Sequence, residues 1–151
     1  MDAAGYTVRS VHFILGKEYK VRAATLKFDN EKKTNIYGSA FMCNGKGIGA
    51  SLSFGFDNYY QCLYEIWGQK GKITAERAFT PKCDFSPKII VEKPEGSEII
   101  EATPDNHFVK SLLEFYKVII NNEKREKHYS DILLQSESLD LIRKYGFQNE
   151  T

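Results

Sequence analysis

Apolar and polar positions along this chain change their period twice. Over residues 3–15, Val8, Val11, Ile14 and Leu15 recur at helical spacing and Gly16 follows as a stop, which predicts a first helix. That helix begins next to Met1 with no room for a cap, as though the chain had been cut at a boundary. From residue 20 the period becomes 2. Residues 20–28 read as a strand with Val21, Ala23 and Thr25 alternating against Arg22, Ala24 and Leu26. Residues 36–43 read as a second strand, and Asn44-Gly45-Lys46-Gly47 as a hairpin turn. Residues 48–56 alternate most clearly. Ile48, Ala50, Leu52, Phe54 and Phe56 take one face; Gly49, Ser51, Ser53 and Gly55 take the other. Further strands are predicted at 59–67, 72–79, 88–92 and 98–102, with turns at Asp57-Asn58 and Gly68-Gln69-Lys70-Gly71.

The last third returns to helical spacing. Thr103 can cap, Pro104 suits the first helical position and Asp105 suits the positive end of the dipole. Phe108, Leu112, Phe115 and Ile119 then form one stripe, widened by Val109, Leu113, Tyr116 and Ile120, with Asn121-Asn122 as the end. Ser130 opens a last helix carrying Leu133, Leu139, Ile142 and Tyr145, stopped by Gly146. Lys124-Arg125-Glu126-Lys127-His128 reads as a solvated loop. The order helix, strands, helices predicts an α+β fold: an open antiparallel β-sheet with helices on one face, in one domain over 1–151. The Gly/Ser face of 48–56 leaves two readings open. It can meet a second sheet in a face-to-face dimer, or it can meet water.

Composition narrows the chemistry by exclusion. A net charge of +1 gives no electrostatic ground for nucleic acid or an anionic membrane. No apolar run approaches the roughly 20 residues that span a bilayer, and no leader pattern opens the chain. Three cysteines, Cys43, Cys62 and Cys83, have neither the parity of a disulfide framework nor metal spacing. Reduced thiols and a cytoplasmic location are expected. His12, His107 and His128 lack metal-ligand spacing. Gly45-Lys46-Gly47-Ile48-Gly49-Ala50 matches a dinucleotide fingerprint in letters, but it opens a strand where that chemistry needs a helix. No complete catalytic set is present, and the residues alone stop at an α+β domain with a possible dimer face.

Two stretches carry a resemblance. The opening Asp2-Ala3-Ala4-Gly5-Tyr6, running on to Phe13-Ile14-Leu15-Gly16, resembles the start of the second domain in the glucose-fructose oxidoreductase/inositol dehydrogenase family. There an aspartate is followed four residues on by histidine or tyrosine, and then by a small apolar helix. Ile66-Trp67-Gly68-Gln69-Lys70-Gly71-Lys72-Ile73 is similar to the family's strand-turn-strand, and Asn106-His107-Phe108 opens a long helix where the family has one. The likeness runs over nearly the whole chain in order. It implies a carboxy-terminal, substrate-side domain, with NAD(H) or NADP(H) held by a separate amino-terminal domain and no cofactor bound by this chain alone. It also implies a small-molecule sugar, nucleotide-sugar or cyclitol substrate, and a homo-oligomer built on the free sheet face.

By position, the resemblance makes Tyr6 the aromatic acid/base and Asp2 its aspartate, and it implies substrate contacts for Arg9 and His12. Many tyrosine-type members have arginine where His12 stands. Without the resemblance Tyr6 reads as a packing residue. Glu92-Lys93-Pro94 copies the letters of the family's lysine motif but lies between short strands, so Lys93 is read as an exposed turn residue. A stand-alone binding or oligomerisation module with the same fold is the competing reading.

Overall fold

Helix α1 (Asp2–Ile14) is followed by strands β1 (Lys20–Asp29), β2 (Thr34–Cys43), β3 (Gly49–Gly55), β4 (Leu63–Gly68), β5 (Gly71–Glu76), β6 (Lys88–Lys93) and β7 (Gly96–Glu101). Helices α2 (His107–Asn121) and α3 (Arg125–Phe147) close the chain. The structure, a computed structural model, describes residues 2–121 and 125–147. The α+β class is borne out. All strand pairings are antiparallel, and they fall into two sheets ordered β1-β2-β3 and β4-β5-β6-β7. The described residues form two compact units: 2–59 with 125–147, and 60–121.

In the first unit, α1 packs on β3 and α3 packs on β1, so both helices cover one face of the three-stranded sheet. Val21, Ala24 and Leu26 of β1, Ala40 and Met42 of β2, and Leu52 of β3 meet Val8, Val11 and Ile142 from the helices. Burying such side chains contributes about 1.5–3 kcal/mol each. The alternation expected in β1 fails for a local reason. A bulge between Val21 and Ala23 shifts the register, so Val21 points inward with Ala24 and Leu26 rather than with Ala23 and Thr25.

The other face of this sheet is set by cross-strand rows Ala23–Phe41–Ser51, Thr25–Ser39–Ser53 and Lys27–Tyr37–Gly55. A Cβ on Gly49 would stand 2.6 Å from the Phe41 ring, and one on Gly55 would stand 3.3 Å from Tyr37. Part of the small-residue pattern in β3 is therefore explained inside the sheet, where aromatic rings from β2 lie over the glycines.

The predicted hairpin at Asn44 forms. The Asn44 carboxamide oxygen accepts the N–H groups of Lys46 (3.0 Å) and Ile48 (3.1 Å), and Gly47 takes φ +78°. Tyr59–Cys62 and Arg77–Phe79, expected as strand, are not. Cys62 Sγ is hydrogen-bonded to the Phe79 carbonyl and amide at 3.2 and 3.3 Å, Arg77 stacks 4.7 Å above the Tyr60 ring, and Arg77 and Thr80 have positive φ. These contacts replace ladder bonds and shorten β4 and β5. Lys93 is exposed at the β6–β7 turn, as expected.

Three helix boundaries differ from expectation. The α2 cap is Asn106, whose Oδ1 accepts the Val109 N–H at 3.1 Å, not Thr103. Arg125–His128, expected as loop, is the first turn of α3; Lys124 and Asn122 lie outside the described residues. Arg, Glu and Lys are good helix formers with no breaker among them, and Ser130 sits inside the helix with its hydroxyl on the Lys127 carbonyl at 2.8 Å. Gly146 is not a stop. It lies within α3 where a Cβ would come 2.4 Å from Leu26 Cγ, so its role is to admit that side chain.

Gly146→Ala should therefore lower stability by about 1–2 kcal/mol, the overpacking cost exceeding the helix-propensity gain of about 1 kcal/mol. In a Leu26→Ala background the same change should be neutral or stabilising. A urea-denaturation double-mutant cycle checks it; additive effects would show that Gly146 and Leu26 do not share that space.

Candidate active site

Helix α1 sorts its residues cleanly between two environments. Ala4, Val8, Val11 and His12 are buried, while Asp2, Tyr6, Arg9 and Phe13 are exposed. The exposed set recurs at i, i+4, i+7 and i+11, which is one helix face. Asp2 and Tyr6 thus sit one turn apart, about 6 Å along the axis, with Tyr6 45% exposed. Asp2 and Tyr6 share this exposed face, and Arg9 continues it.

The orientation of α1 is set from α3. Arg9 Nη2 donates to Asp131 Oδ2 at 3.0 Å, and Lys17 reaches the other oxygen of the same carboxylate. Asp131 is 8% exposed, and the two cations beside it hold its carboxyl below the ordinary carboxylate range, with Lys17 contributing most. Gln135 donates to the Gly5 carbonyl at 3.2 Å. A Cβ at position 5 would stand 3.3 Å from that amide, tighter than ordinary contact.

His12, expected at the substrate, lies inside. Its Nε2 is 3.1 Å from Ser138 Oγ. Ser138 Oγ also donates to the Leu134 carbonyl at 2.9 Å. Burial is the main cause of a lowered His12 pKa, which keeps the ring neutral. Below about pH 6.5 the unfolded chain takes a proton that the folded chain refuses, so this group's contribution falls as pH drops through that range.

Asp131, Lys17, Gln135 and Ser138 were not foreseen, because nothing local marks a partner more than a hundred residues away in sequence. Ala3, Ala4, Asn35, Tyr37, Phe54, Gly55 and Phe56 enclose a hollow of about 10 Å³ beside the first turn of α1, room for one water. It is far too small for a sugar.

Among the described residues no group of His, Cys, Asp and Glu is arranged to hold a metal, and no helix is long and apolar enough to cross a membrane. The Gly45–Ala50 motif runs from the Asn44 turn into β3, without the helix amino terminus that a pyrophosphate needs. No residue here is assigned to a dinucleotide.

No protein-family model matches the chain. Its fold is that of a domain in solved oxidoreductases. KijD10, a 3-ketoreductase from Actinomadura kijaniata in complex with TDP-benzene and NADP, superposes in its open conformation with a TM-score of 0.90. The match has 25% identity and covers 95% of this chain and 46% of that one. A protein from Erwinia carotovora atroseptica, 10% identical, shares the fold alone at a TM-score of 0.72.

The sequence relatives agree. The dTDP-3,4-didehydro-2,6-dideoxy-alpha-D-glucose 3-reductase of Actinomadura kijaniata is 25% identical over 143 residues, 95% of this chain and 43% of its own length. The enzyme of the same name from Streptomyces violaceoruber is 32% identical over 99 residues, 65% of this chain and 29% of its own. The chain thus spans less than half the length of these relatives and matches their carboxy-terminal part.

Asp131→Asn should cost about 1–2 kcal/mol at pH 7, between the small value of exposed pairs and the 3–5 kcal/mol of fully buried ones. A lowered folded pKa means the contribution is complete above the unfolded carboxyl value of about 3.9 and is lost as pH falls through the folded one. Denaturation of parent and variant from pH 7 to 2 should show the two curves converging in acid. A gap independent of pH would mean that packing, not charge, holds α1 to α3.

Proposed function

We propose that this chain is the carboxy-terminal, substrate-side domain of an NADP(H)-dependent reductase acting on a keto group of a nucleotide-linked sugar. The observation that carries this is the likeness to KijD10 over 95% of the chain, taken with the exposed Asp2–Tyr6 face at the start of α1. NADP(H), held by a separate domain, would supply the reducing equivalent. Reduction of a ketone leaves its oxygen in need of a proton, and Tyr6 is the acid that donates it. A phenol with an ordinary pKa near 10 does this near neutrality when a cation beside it stabilises the phenolate. The family resemblance assigns that cation to a lysine of the other domain. Asp2, one turn away, orients or polarises the sugar hydroxyls, and Arg9 extends the polar surface. His12 acts through position: with Arg9 and Lys17 it fixes which way α1 turns its face.

The open face of the three-stranded sheet supports a homodimer, with Ser51 and Ser53 central to it. Ser51→Arg or Ser53→Arg would bury an unpaired charge and should shift sedimentation from dimer to monomer. A parent chain already monomeric at about micromolar concentration, well within the range of stable dimers, would remove the dimer.

Tyr6→Phe keeps the ring and deletes the hydroxyl. In the polypeptide that carries both domains it should reduce ketone turnover by about 10²–10⁴-fold, with NADP(H) affinity unchanged. Near-normal turnover, where chemistry limits the rate, would return Tyr6 to a packing role.

A further inference from the structure

The junction between α1 and α3 holds a side chain that can change its charge near neutral pH. His12 is 6% exposed, and its Nε2 meets Ser138 Oγ across the two helices at 3.1 Å. Its Nδ1 is also closed to water. That nitrogen makes no well-formed hydrogen bond among the described residues, although the Gly16 backbone lies near enough to favour a proton. Every contact named here lies within the first unit.

The charges around the ring are already matched against a further positive one. Arg9 on α1, Lys17 in the segment after it and Lys20 at the start of β1 are cations, and Asp131 on α3 is the nearby anion. That carboxylate is already taken by Arg9 and Lys17. A proton on His12 would make a buried cation among cations, with no free carboxylate to meet it. We infer that His12 is an acid-sensitive latch: the neutral ring fastens α1 to α3, and a proton on the ring favours the opening that lifts α1 away. Asp131 stays ionised through the same range, because Lys17 and Arg9 hold its carboxyl below the ordinary value, so the two titrations do not overlap. The consequence for catalysis rests on the function proposed above, since α1 carries Tyr6 and Asp2 and opening would displace both. The latch itself does not depend on that reading.

The direction follows from linkage. Burial holds His12 below the ordinary histidine value of about 6.5, and opening exposes the ring and restores that value. Above it both states are neutral and the junction is at full strength. As pH falls below it, the open state takes the proton and the closed state refuses it, so by about pH 5.5 opening is favoured by up to about tenfold. The test follows amide exchange in the 151-residue chain at about pH 7.5 and about pH 5.5, corrected for intrinsic rates, beside the His12 ring resonance by NMR. Protection over residues 2–14 should fall several-fold, up to about tenfold, with a urea dependence well below that of the β2 amides, which marks a local opening. His12 in the closed state should titrate below about pH 6.5. His12→Gln keeps a polar group facing Ser138 and takes no proton, so it should abolish the fall.

The measurements on the parent chain decide the matter without the variant, should His12→Gln fail to fold. Protection of α1 that does not change with pH would overturn the inference. So would a His12 that titrates at or above about pH 6.5 with the helix still closed. A fall with the full urea dependence of β2 would make the event global unfolding and remove the latch. A fall that persists in folded His12→Gln would assign it to other groups and remove the latch equally. Dispensability of Tyr6 in the polypeptide that carries both domains would sink the catalytic reading and leave the latch standing, because amide exchange reads no activity.

Discussion

The carboxylate of Asp131 is the point on which the first unit turns. It lies between α1 and α3, takes Arg9 from one helix and Lys17 from the segment beyond it, and is nearly closed to water. Removing a carboxylate from water is costly unless its charge is met, and here two cations meet it. The arrangement leaves one positive charge in excess near the exposed face of α1. It also ties the start of the chain to its end. Because the helix is held at Arg9 and Lys17, and again at Gly5 and His12, it has no freedom to roll. That fixed roll is what keeps Asp2 and Tyr6 on the outer face.

Beneath those polar ties the packing depends on absences. Leu26 projects from β1 into a space left by Gly38 on the neighbouring strand and Gly146 on α3, each of which would collide with it if it carried a Cβ. Close-packed interiors do not absorb an extra methyl group without strain. The same device recurs on the outer face, where Phe41 lies across Gly49. Glycines that look like punctuation along the sequence are, in this fold, the receiving half of a contact with a large side chain elsewhere.

This explains which parts of the fold were legible in the sequence. Period and turn chemistry are local, so α1, the β2–β3 hairpin and the strand core positions of β3 could be read directly. The β1 bulge could not, because one extra residue flips the alternation without any change in composition. The α2 cap was placed too early because Thr103-Pro104-Asp105 has the right letters, while the side-chain bond that decides the matter comes from Asn106. Gly146 was read as a helix end because its partner, Leu26, is 120 residues away in the chain. Within the site, the i, i+4 spacing of Asp2 and Tyr6 was visible and their shared face followed from helix geometry. The roles of Arg9 and His12 as ties to α3 were not visible, since Asp131 and Ser138 meet them only after folding.

On the function proposed above, α1 is a rigid helix that offers Tyr6 and Asp2 on one exposed face. General acid catalysis demands that a hydroxyl be held within hydrogen-bond reach of one oxygen, and an error of an ångström in that placement costs heavily in rate. A domain that supplies the acid but not the reducing cofactor meets this demand only if its own acid is immobile and if its junction with the other domain is equally firm. Pinning α1 by a buried carboxylate would meet the first condition for the role proposed for Tyr6. The second cannot be satisfied by polar contacts at a solvent-exposed rim, which are worth little. It calls for buried apolar area.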